Sequence, residues 1–334
     1  MSSPPQPGEP PALDIPPDWS RAAEAVLAAG GRRIVVAGAA DRGKSSFCRY
    51  LAARFLEAGT AAALLDADVG QKELGPPAAL TLGSGAAARE PGEGAHAFYF
   101  VGAVSPRGHF LPVAVGSGRL LAQAGDQPVI VSTDGMVRGP GRILRHYQME
   151  ALAPDHVVAL EAEGEAGSVP VPQGTAVHRL HPAPSARARN PAERKAARQR
   201  AFRAYFRDAG RAVLDLEGLH LERCLLFTGR TMDPGGFLHA EETPEGPLVV
   251  GNRPLSDRTT KRLPAGFERD LLCGVLDTGG RCLGLARLAR LDFRTRKLTL
   301  WTPVPPDRIR GLQLGALYVD AEGRELARSR PRNL

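Results

Sequence analysis

The sequence predicts an α/β fold: a P-loop domain with a three-layer, mostly parallel sheet and a helical lid, followed by a smaller, β-rich C-terminal domain. Short apolar runs alternate with helical stretches in the first part of the chain, a pattern typical of parallel sheets covered by helices. After Gly210, strand-like pieces separated by turn signals replace this alternation. We expect a flexible arm and a short helix at residues 1–30, the P-loop domain at 31–210 with its lid at about 185–210, and the β-rich domain at 211–334.

The elements before the lid follow from local patterns. A Pro-rich start is typical of a disordered arm, and Asp18–Ala29 is predicted to be a helix with a capping residue at its start. The β-branched run Arg32–Gly38 predicts a buried strand, and Lys44–Ala58 predicts a helix that ends at Gly59. Further apolar runs predict buried strands at Ala61–Asp66, Ala97–Val104, Pro128–Thr133 and His156–Leu160, with a helix at Gly139–Leu152 before the last of them.

The lid and the C-terminal region have different patterns. Residues 161–188 are rich in Gly, Pro, Glu and Ser, which indicates an irregular excursion. Pro191–Arg207 is a strongly basic helix with proline at its start, and we interpret it as a movable lid rather than only a solvated basic face. The C-terminal strands are predicted at Arg223–Phe227, Leu271–Leu276, Cys282–Leu291, Lys297–Trp301 and Leu312–Val319.

Composition limits the function classes. The net charge is +7 and the pI is near 9.6, which fits a phosphate-rich partner, although an arginine-rich composition alone has the same effect. The four cysteines form no C-x-x-C pair, so we expect reduced thiols and neither a disulfide framework nor structural zinc. The sequence has neither a secretory signal nor an 18-residue apolar run, so we expect a cytoplasmic protein that does not span a membrane.

The strongest motif is GAADRGKS, which matches the phosphate-binding pattern G-x-x-x-x-G-K-[ST] between a predicted strand and a predicted helix. Its glycines let backbone N–H groups converge on phosphates, and the helix N-terminus adds partial positive charge. Lys44 is predicted to reach the β- and γ-phosphates, and the Ser45 hydroxyl to bind Mg²⁺. The predicted ATP-binding residues are Gly38, Ala39, Ala40, Asp41, Arg42, Gly43, Lys44, Ser45 and Ser46.

A second polar cluster follows the next predicted strand, in LLDADVGQKELGPP. Carboxylates there emerge at the carboxyl edge of the sheet, beside the P-loop. Asp66 and Asp68 can therefore hold Mg²⁺ through water or accept a proton from an attacking hydroxyl, whereas the alternative is that they only cap a turn. The sequence contains no N-K-x-D or T-K-x-D guanine-recognition motif, which argues against a GTPase.

With these motifs together, the chain resembles the RNA 5′-hydroxyl polynucleotide kinases. That family includes the kinase subunit of the pre-mRNA cleavage and tRNA-splicing machinery and the nucleolar pre-ribosomal RNA kinases. The resemblance extends from about residue 18 to the end. It is carried by GAADRGKSS, LLDADVGQKELGPP, VIVSTDGMVRGPG, the arginine-rich helix ending RAYF, and LCGVLDTGGRCLGLARLARLDFRTRKLTLWTPV.

The resemblance implies transfer of the γ-phosphate of ATP, with Mg²⁺, to a 5′-hydroxyl end of RNA or DNA in RNA processing or repair. It makes Lys44 and Ser45 the Walker A pair and Asp68 the general base, with Asp66 and Gln71 supporting the base and the metal. It also implies a substrate clasp of Thr133, Asp134 and Gly135 and two catalytic lid arginines, Arg194 and Arg198, with Arg200 and Arg203 as alternatives.

The sequence also departs from the family pattern. Met136 stands where eukaryotic members often have Trp, and only 37 residues precede the P-loop, so we expect a stand-alone, prokaryotic type of member. Two other functions stay open at this point. One is a P-loop GTPase or metallochaperone-like ATPase, and the other is a non-catalytic scaffold that keeps ATP as a structural ligand.

Overall fold

The computed structural model describes residues 15–85, 94–184, 186–255, 257 and 259–328, so most of the predicted N-terminal arm lies outside the described residues. The α-helices of this part are α1 (Pro17–Ala28), α2 (Lys44–Glu57), α3 (Phe110–Gln123), α4 (Pro140–Leu152) and α5 (Pro191–Tyr205). The first seven strands are β1 (Arg33–Gly38), β2 (Ala63–Ala67), β3 (Ala79–Ser84), β4 (Ala95–Phe100), β5 (Val129–Thr133), β6 (His156–Leu160) and β7 (Ala176–Leu180). The later strands are β8 (Gly210–Asp215), β9 (His220–Glu222), β10 (Arg230–Thr231), β11 (His239–Thr243), β12 (Gly246–Val250), β13 (Lys261–Leu263), β14 (Leu271–Leu276), β15 (Cys282–Asp292), β16 (Lys297–Thr302) and β17 (Gly311–Tyr318).

The N-terminal part is the predicted three-layer α/β structure. Strands β7, β6, β1, β5 and β2 run parallel in that order, with Val35 of β1 opposite Val131 on one side and Val157 on the other. One face of this sheet packs on α1 and α2, through a cluster that includes Phe47 and Leu51, and the other face packs on α3 and α4. Parallel strands have their carboxyl ends at one edge of the sheet, so the loops that follow β1, β2 and β5 lie next to one another there.

The C-terminal strands continue the same sheet. β2, β3 and β4 are antiparallel, and β4 meets β15 where Phe98 lies opposite Cys282. β14, β17 and β9 extend the order beyond β15, and β16 and β8 branch from it. These strands enclose a core of their own, and β10–β13 form a separate small sheet. The β-rich C-terminal region is thus confirmed, while the division at residue 210 stays a prediction.

Three local predictions are corrected. Arg223–Phe227 is not a strand, because Arg223 (φ 62°) and Phe227 (φ 65°) take left-handed conformations that no extended strand contains. The excursion at 161–188 contains β7, which pairs in parallel with β6. The sequence pattern also missed β3 and gave no bounds for α3, and both elements line the main core.

The lid helix α5 is held at both ends. Asn190 caps its N-terminus reciprocally with Glu193, in a capping box. At the other end Phe202 is fully buried, and the Tyr205 hydroxyl accepts the backbone N–H of Leu285 at 2.7 Å. The aromatic side chains at this end of α5 therefore pack the lid helix onto the C-terminal strands. None of the helices in the described ranges is long and apolar enough to cross a membrane.

Candidate functional site at the carboxyl edge of the sheet

A cavity of about 450 Å³ opens at the carboxyl edge of the parallel strands, between the P-loop and the lid helix. Five segments that are far apart in the sequence contribute to it: the P-loop with the start of α2, the turn after β2, residues 104–106 after β4, the segment after β5 and the start of the lid. The predicted site residues in its lining are Ala40, Asp41, Arg42, Gly43, Lys44, Ser45, Ser46, Asp68, Gln71, Thr133, Asp134, Gly135, Arg194 and Arg198. The structure therefore brings together most of the predicted set.

The P-loop has a conformation that only its glycines allow. At Gly38 a Cβ atom would lie 2.3 Å from the carbonyl oxygen of Leu160, and Gly43 has a left-handed φ of 86°. The helix α2 begins at Lys44, so its first N–H groups face the cavity. The Lys44 ammonium donates to the Ala39 carbonyl at 2.8 Å, and burial lowers the pKa of Lys44. This arrangement is a preformed cradle for phosphate oxygens.

Asp68 is the carboxylate of the turn after β2 that faces the cavity. Its Oδ1 accepts the backbone N–H groups of Gly70 and Gln71, at 2.8 and 2.9 Å, whereas Oδ2 has no donor among the described residues. Burial, followed by the charge of Asp134, raises the pKa of Asp68 to about 6. A carboxylate held in place by one oxygen, with the other free and a raised pKa, is suited to accept a proton near neutral pH.

Asp66 lies behind this turn, outside the cavity lining, and its contacts do not support its expected role as a metal ligand, which stays a prediction. Its side chain is buried, and its carboxylate is bound by the Lys72 ammonium at 3.2 Å and by the backbone N–H groups of Glu73 and Leu74 at 2.7 and 3.1 Å. Its other bond, 3.1 Å long, is from the N–H of Asp68. Asp66 therefore shapes the turn that presents Asp68 and leaves no oxygen directed at a ligand.

The predicted clasp after β5 is fixed against the P-loop. Asp134 accepts the N–H of Met136 at 2.7 Å with one oxygen and the Arg145 guanidinium at 3.0 Å with the other. A Cβ atom at Gly135 would lie 2.6 Å from the backbone nitrogen of Ala40, so only glycine fits there. The Thr133 hydroxyl donates its proton to the Val36 carbonyl, 3.0 Å away. Thr133 can therefore only accept a hydrogen bond from a substrate, through the lone pairs of its hydroxyl oxygen.

The fully buried Arg145 was missed by the sequence analysis. It lies on α4, donates to both the carboxylate and the carbonyl of Asp134, and also donates to Gln148. No motif marks it, because an arginine in a helix is ordinarily a surface residue.

Each of the two predicted lid arginines is held by a carboxylate. Arg194 forms a 2.6 Å ion pair with Asp41 of the P-loop itself. Arg198 is bound at 2.5 and 3.2 Å by the two oxygens of Glu325, which the sequence analysis did not identify. On the opposite side of the loop, Arg42 forms a two-point ion pair with Glu165, and this pair lowers the pKa of Glu165 to about 2.

The residues at the start of α2 fit a magnesium ion of the P-loop type. The Ser45 hydroxyl lies near Glu73, whose pKa is raised by burial, and Arg49 lies 3.4 Å from that carboxylate. Nowhere in the described ranges do three or more His, Cys, Asp or Glu side chains form a metal cage. A hydroxyl with one nearby carboxylate suits an ion that takes its other ligands from phosphates and water, which is the usual preference of Mg²⁺.

The comparisons with known proteins agree with this geometry. The family model described as "mRNA cleavage and polyadenylation factor CLP1 P-loop" matches residues 38–208, slightly more than half of the chain. The chain belongs to this family. The match begins at the first glycine of the P-loop and ends just beyond α5, so it contains all five segments that line the cavity.

Relatives and a solved structure extend over nearly the whole length of this CLP1-family chain. A polyribonucleotide 5′-hydroxyl-kinase of Pyrococcus furiosus is 28% identical, with 94% of this chain and 95% of the relative covered. One of Methanocaldococcus jannaschii is 25% identical, with 88% and 89% covered. The solved Clp1p–Pcf11p complex contains a chain with the same fold, at a TM-score of 0.63 and 14% identity, covering 90% of this chain and 78% of that one.

Proposed function

We propose that this chain is an ATP-dependent polynucleotide kinase that transfers the γ-phosphate of ATP to the 5′-hydroxyl end of RNA. The observation that carries the proposal is the position of Asp68. Its free oxygen and the phosphate cradle of Lys44 line one cavity, beneath two lid arginines. Relatives named as RNA 5′-hydroxyl kinases cover nearly the full chain, which supports the same activity.

The transfer follows from these positions. The 5′-oxygen of the RNA attacks the γ-phosphorus in line, a new O–P bond forms, and the bond from the γ-phosphorus to the bridging oxygen of ADP breaks. The proton of the 5′-hydroxyl passes to Asp68, which is deprotonated above its raised pKa. Lys44, Arg194 and Arg198 stabilise the charge on the transferring group.

Two finer points belong to the same proposal. Mg²⁺, when bound, neutralises charge on the β- and γ-phosphates, and we assign its protein contacts to the Ser45 hydroxyl and, through water, to Glu73. The clasp of Thr133, Asp134 and Gly135 would position the terminal nucleotide, with Gln71 beside it. Gln71 lines the same cavity, and its side-chain oxygen is buried with no donor among the described residues. DNA with a 5′-hydroxyl is a second substrate that this site can accept.

The proposal is tested with γ-labelled ATP and matched oligonucleotides. We expect label on 5′-hydroxyl RNA and none on the same RNA carrying a 5′-phosphate, and a DNA oligonucleotide of the same sequence measures the preference for RNA. Labelled GTP in a parallel series tests the GTPase alternative. ATP that is hydrolysed, or retained without turnover, while no label reaches any polynucleotide end would refute the proposal.

A further inference from the structure

Glu325 lies far from the P-loop in the sequence, yet its carboxylate binds Arg198, a residue of the lid helix that lines the cavity. Its two oxygens bind Nε and Nη2 of Arg198 at 2.5 and 3.2 Å, and each of the two side chains is only 16% exposed. Planar, two-point arginine–carboxylate pairs fix the orientation of the guanidinium as well as its position. Arg198 cannot rotate about its long side chain while this pair is intact.

The pair leaves one end of the guanidinium available. Nε and Nη2 of Arg198 face Glu325, while its Nη1 makes no hydrogen bond to any residue in the described ranges. The same side chain lines the cavity together with Arg194 and Lys44. Three N–H groups of Arg198 therefore stay unused by the carboxylate, in a side chain that forms part of the phosphate site.

The segment that carries Glu325 is a hydrogen-bonded turn that packs on the lid helix. Glu325 forms an isolated antiparallel bridge with Val319, directly after β17. The carboxylate of Asp320 accepts the N–H groups of Glu322 and Arg324 at 3.0 and 2.8 Å, which closes the turn between them.

At the top of this turn Gly323 touches α5. A Cβ atom there would lie 2.5 Å from the carbonyl oxygen of Gln199 and 2.7 Å from the backbone nitrogen of Arg203. The turn of residues 319–326 and the lid helix are therefore in direct backbone contact, from the residue that follows Arg198 to Arg203.

From these contacts we propose that Glu325 is a positioning residue for phosphoryl transfer, which holds the Arg198 guanidinium directed at the transferring phosphate. This inference rests on the proposed function and adds a role for the C-terminal strands. They carry the turn that orients a lid arginine, so the cavity depends on both parts of the chain. The lid is accordingly braced near Arg198 rather than free to swing over its whole length.

The test compares Glu325→Gln with Glu322→Gln, an exposed residue of the same turn. Glu325→Gln keeps the side-chain shape but weakens the charged pair, and a displacement of the guanidinium by about 1 Å costs between about 10- and 100-fold in rate. We expect such a loss in kcat for RNA phosphorylation with the Kd for ATP within about twofold of wild type, because the interaction is strongest in the transition state. Glu322→Gln should match wild type in both.

A double-mutant cycle separates positioning from a general structural role. If Glu325 acts through Arg198, Glu325→Gln should reduce kcat by less than about twofold in an Arg198→Ala background. A loss of the same size in both backgrounds would overturn the proposal, and so would unchanged kcat in the single variant.

A second measurement does not require RNA. ADP with aluminium fluoride mimics the transferring phosphoryl group, and its Kd is measured by calorimetry. Wild type and Glu322→Gln should bind this mimic more tightly than ADP alone. In Glu325→Gln the ratio of the Kd for ADP to the Kd for the mimic should be at least about tenfold smaller than in wild type. Equal preference in all three proteins would refute the positioning role, whereas absence of RNA phosphorylation by wild type would refute the proposed function alone.

Discussion

Replacing Asp68 by Asn should stabilise the folded protein while abolishing phosphoryl transfer. In the folded chain the pKa of Asp68 is raised from 3.8 to about 6, mainly by burial, so folding is penalised whenever the carboxyl is ionised. Asparagine retains an oxygen that can accept the Gly70 and Gln71 N–H groups and removes the charge.

The size and the sign of this effect follow from the pKa. A rise of about two units corresponds to about 3 kcal/mol at 1.36 kcal/mol per unit, and the penalty is fully present above the folded pKa. Between pH 6 and 3.8 Asp68 is protonated in the folded protein but still ionised in the unfolded chain. The free-energy cost of burying its charge therefore declines as the pH falls, to about half at pH 5, and it vanishes below pH 3.8. Asp68→Asn should therefore raise the free energy of unfolding by up to about 3 kcal/mol at pH 7.5 and by little at pH 4.

The assay is urea unfolding of the metal-free and nucleotide-free protein at pH 7.5, 5 and 4, wild type beside Asp68→Asn. Asp126→Asn, at an exposed surface ion pair with Arg32, is the matched control and should change stability by less than about 1 kcal/mol. RNA phosphorylation by Asp68→Asn should fall by about 100-fold or more, with ATP affinity nearly unchanged. A variant that is less stable than wild type at pH 7.5, or equally altered at all three pH values, would refute the reasoning.

Other variants test the remaining parts of the site. Lys44→Ala should lower transfer by about 100-fold or more in a single-turnover assay, because it removes a buried cation from the phosphate cradle; near-normal turnover would contradict the assignment. Met136→Trp should tighten oligonucleotide binding, measured by fluorescence anisotropy, by about 1–3 kcal/mol if the side chain stacks on the terminal base, and unchanged affinity would show that it does not. Arg194→Ala should lower kcat much more than ATP affinity, whereas Arg207→Ala, beyond the end of α5, should do less; equal small effects would make the helix only a basic surface.

Local patterns predicted the parts of the site that depend on local backbone chemistry. The P-loop is recognisable because Gly38 and Gly43 must take conformations that other residues avoid. The position of Asp68 beside it followed from the rule that parallel strands end at one edge. The residue pattern alone did not distinguish Asp68 from Asp66; only the family resemblance assigned the base to Asp68. That distinction depends on the buried Lys72, whose ammonium directs Asp66 inward.

Other features depend on tertiary contacts that no local pattern encodes. Glu325 reaches Arg198 only because the C-terminal strands continue the kinase sheet beyond β4. The segment Arg223–Phe227 has the apolar composition of a strand. The left-handed backbone conformations of Arg223 and Phe227 depend on tertiary packing, and composition does not predict them. The catalytic roles of the lid arginines and the clasp, and the boundary at residue 210, stay predictions.

The most direct test of the central claim is to locate the phosphate on the product. A synthetic 5′-hydroxyl RNA is incubated with ATP and wild-type protein or the Lys44→Ala variant, and the product is sequenced by mass spectrometry. We expect one added phosphate, on the 5′-terminal nucleotide, with wild type and essentially none with Lys44→Ala. An RNA that gains no phosphate, gains it at another position, or is phosphorylated equally by the variant would contradict the proposed 5′-kinase activity.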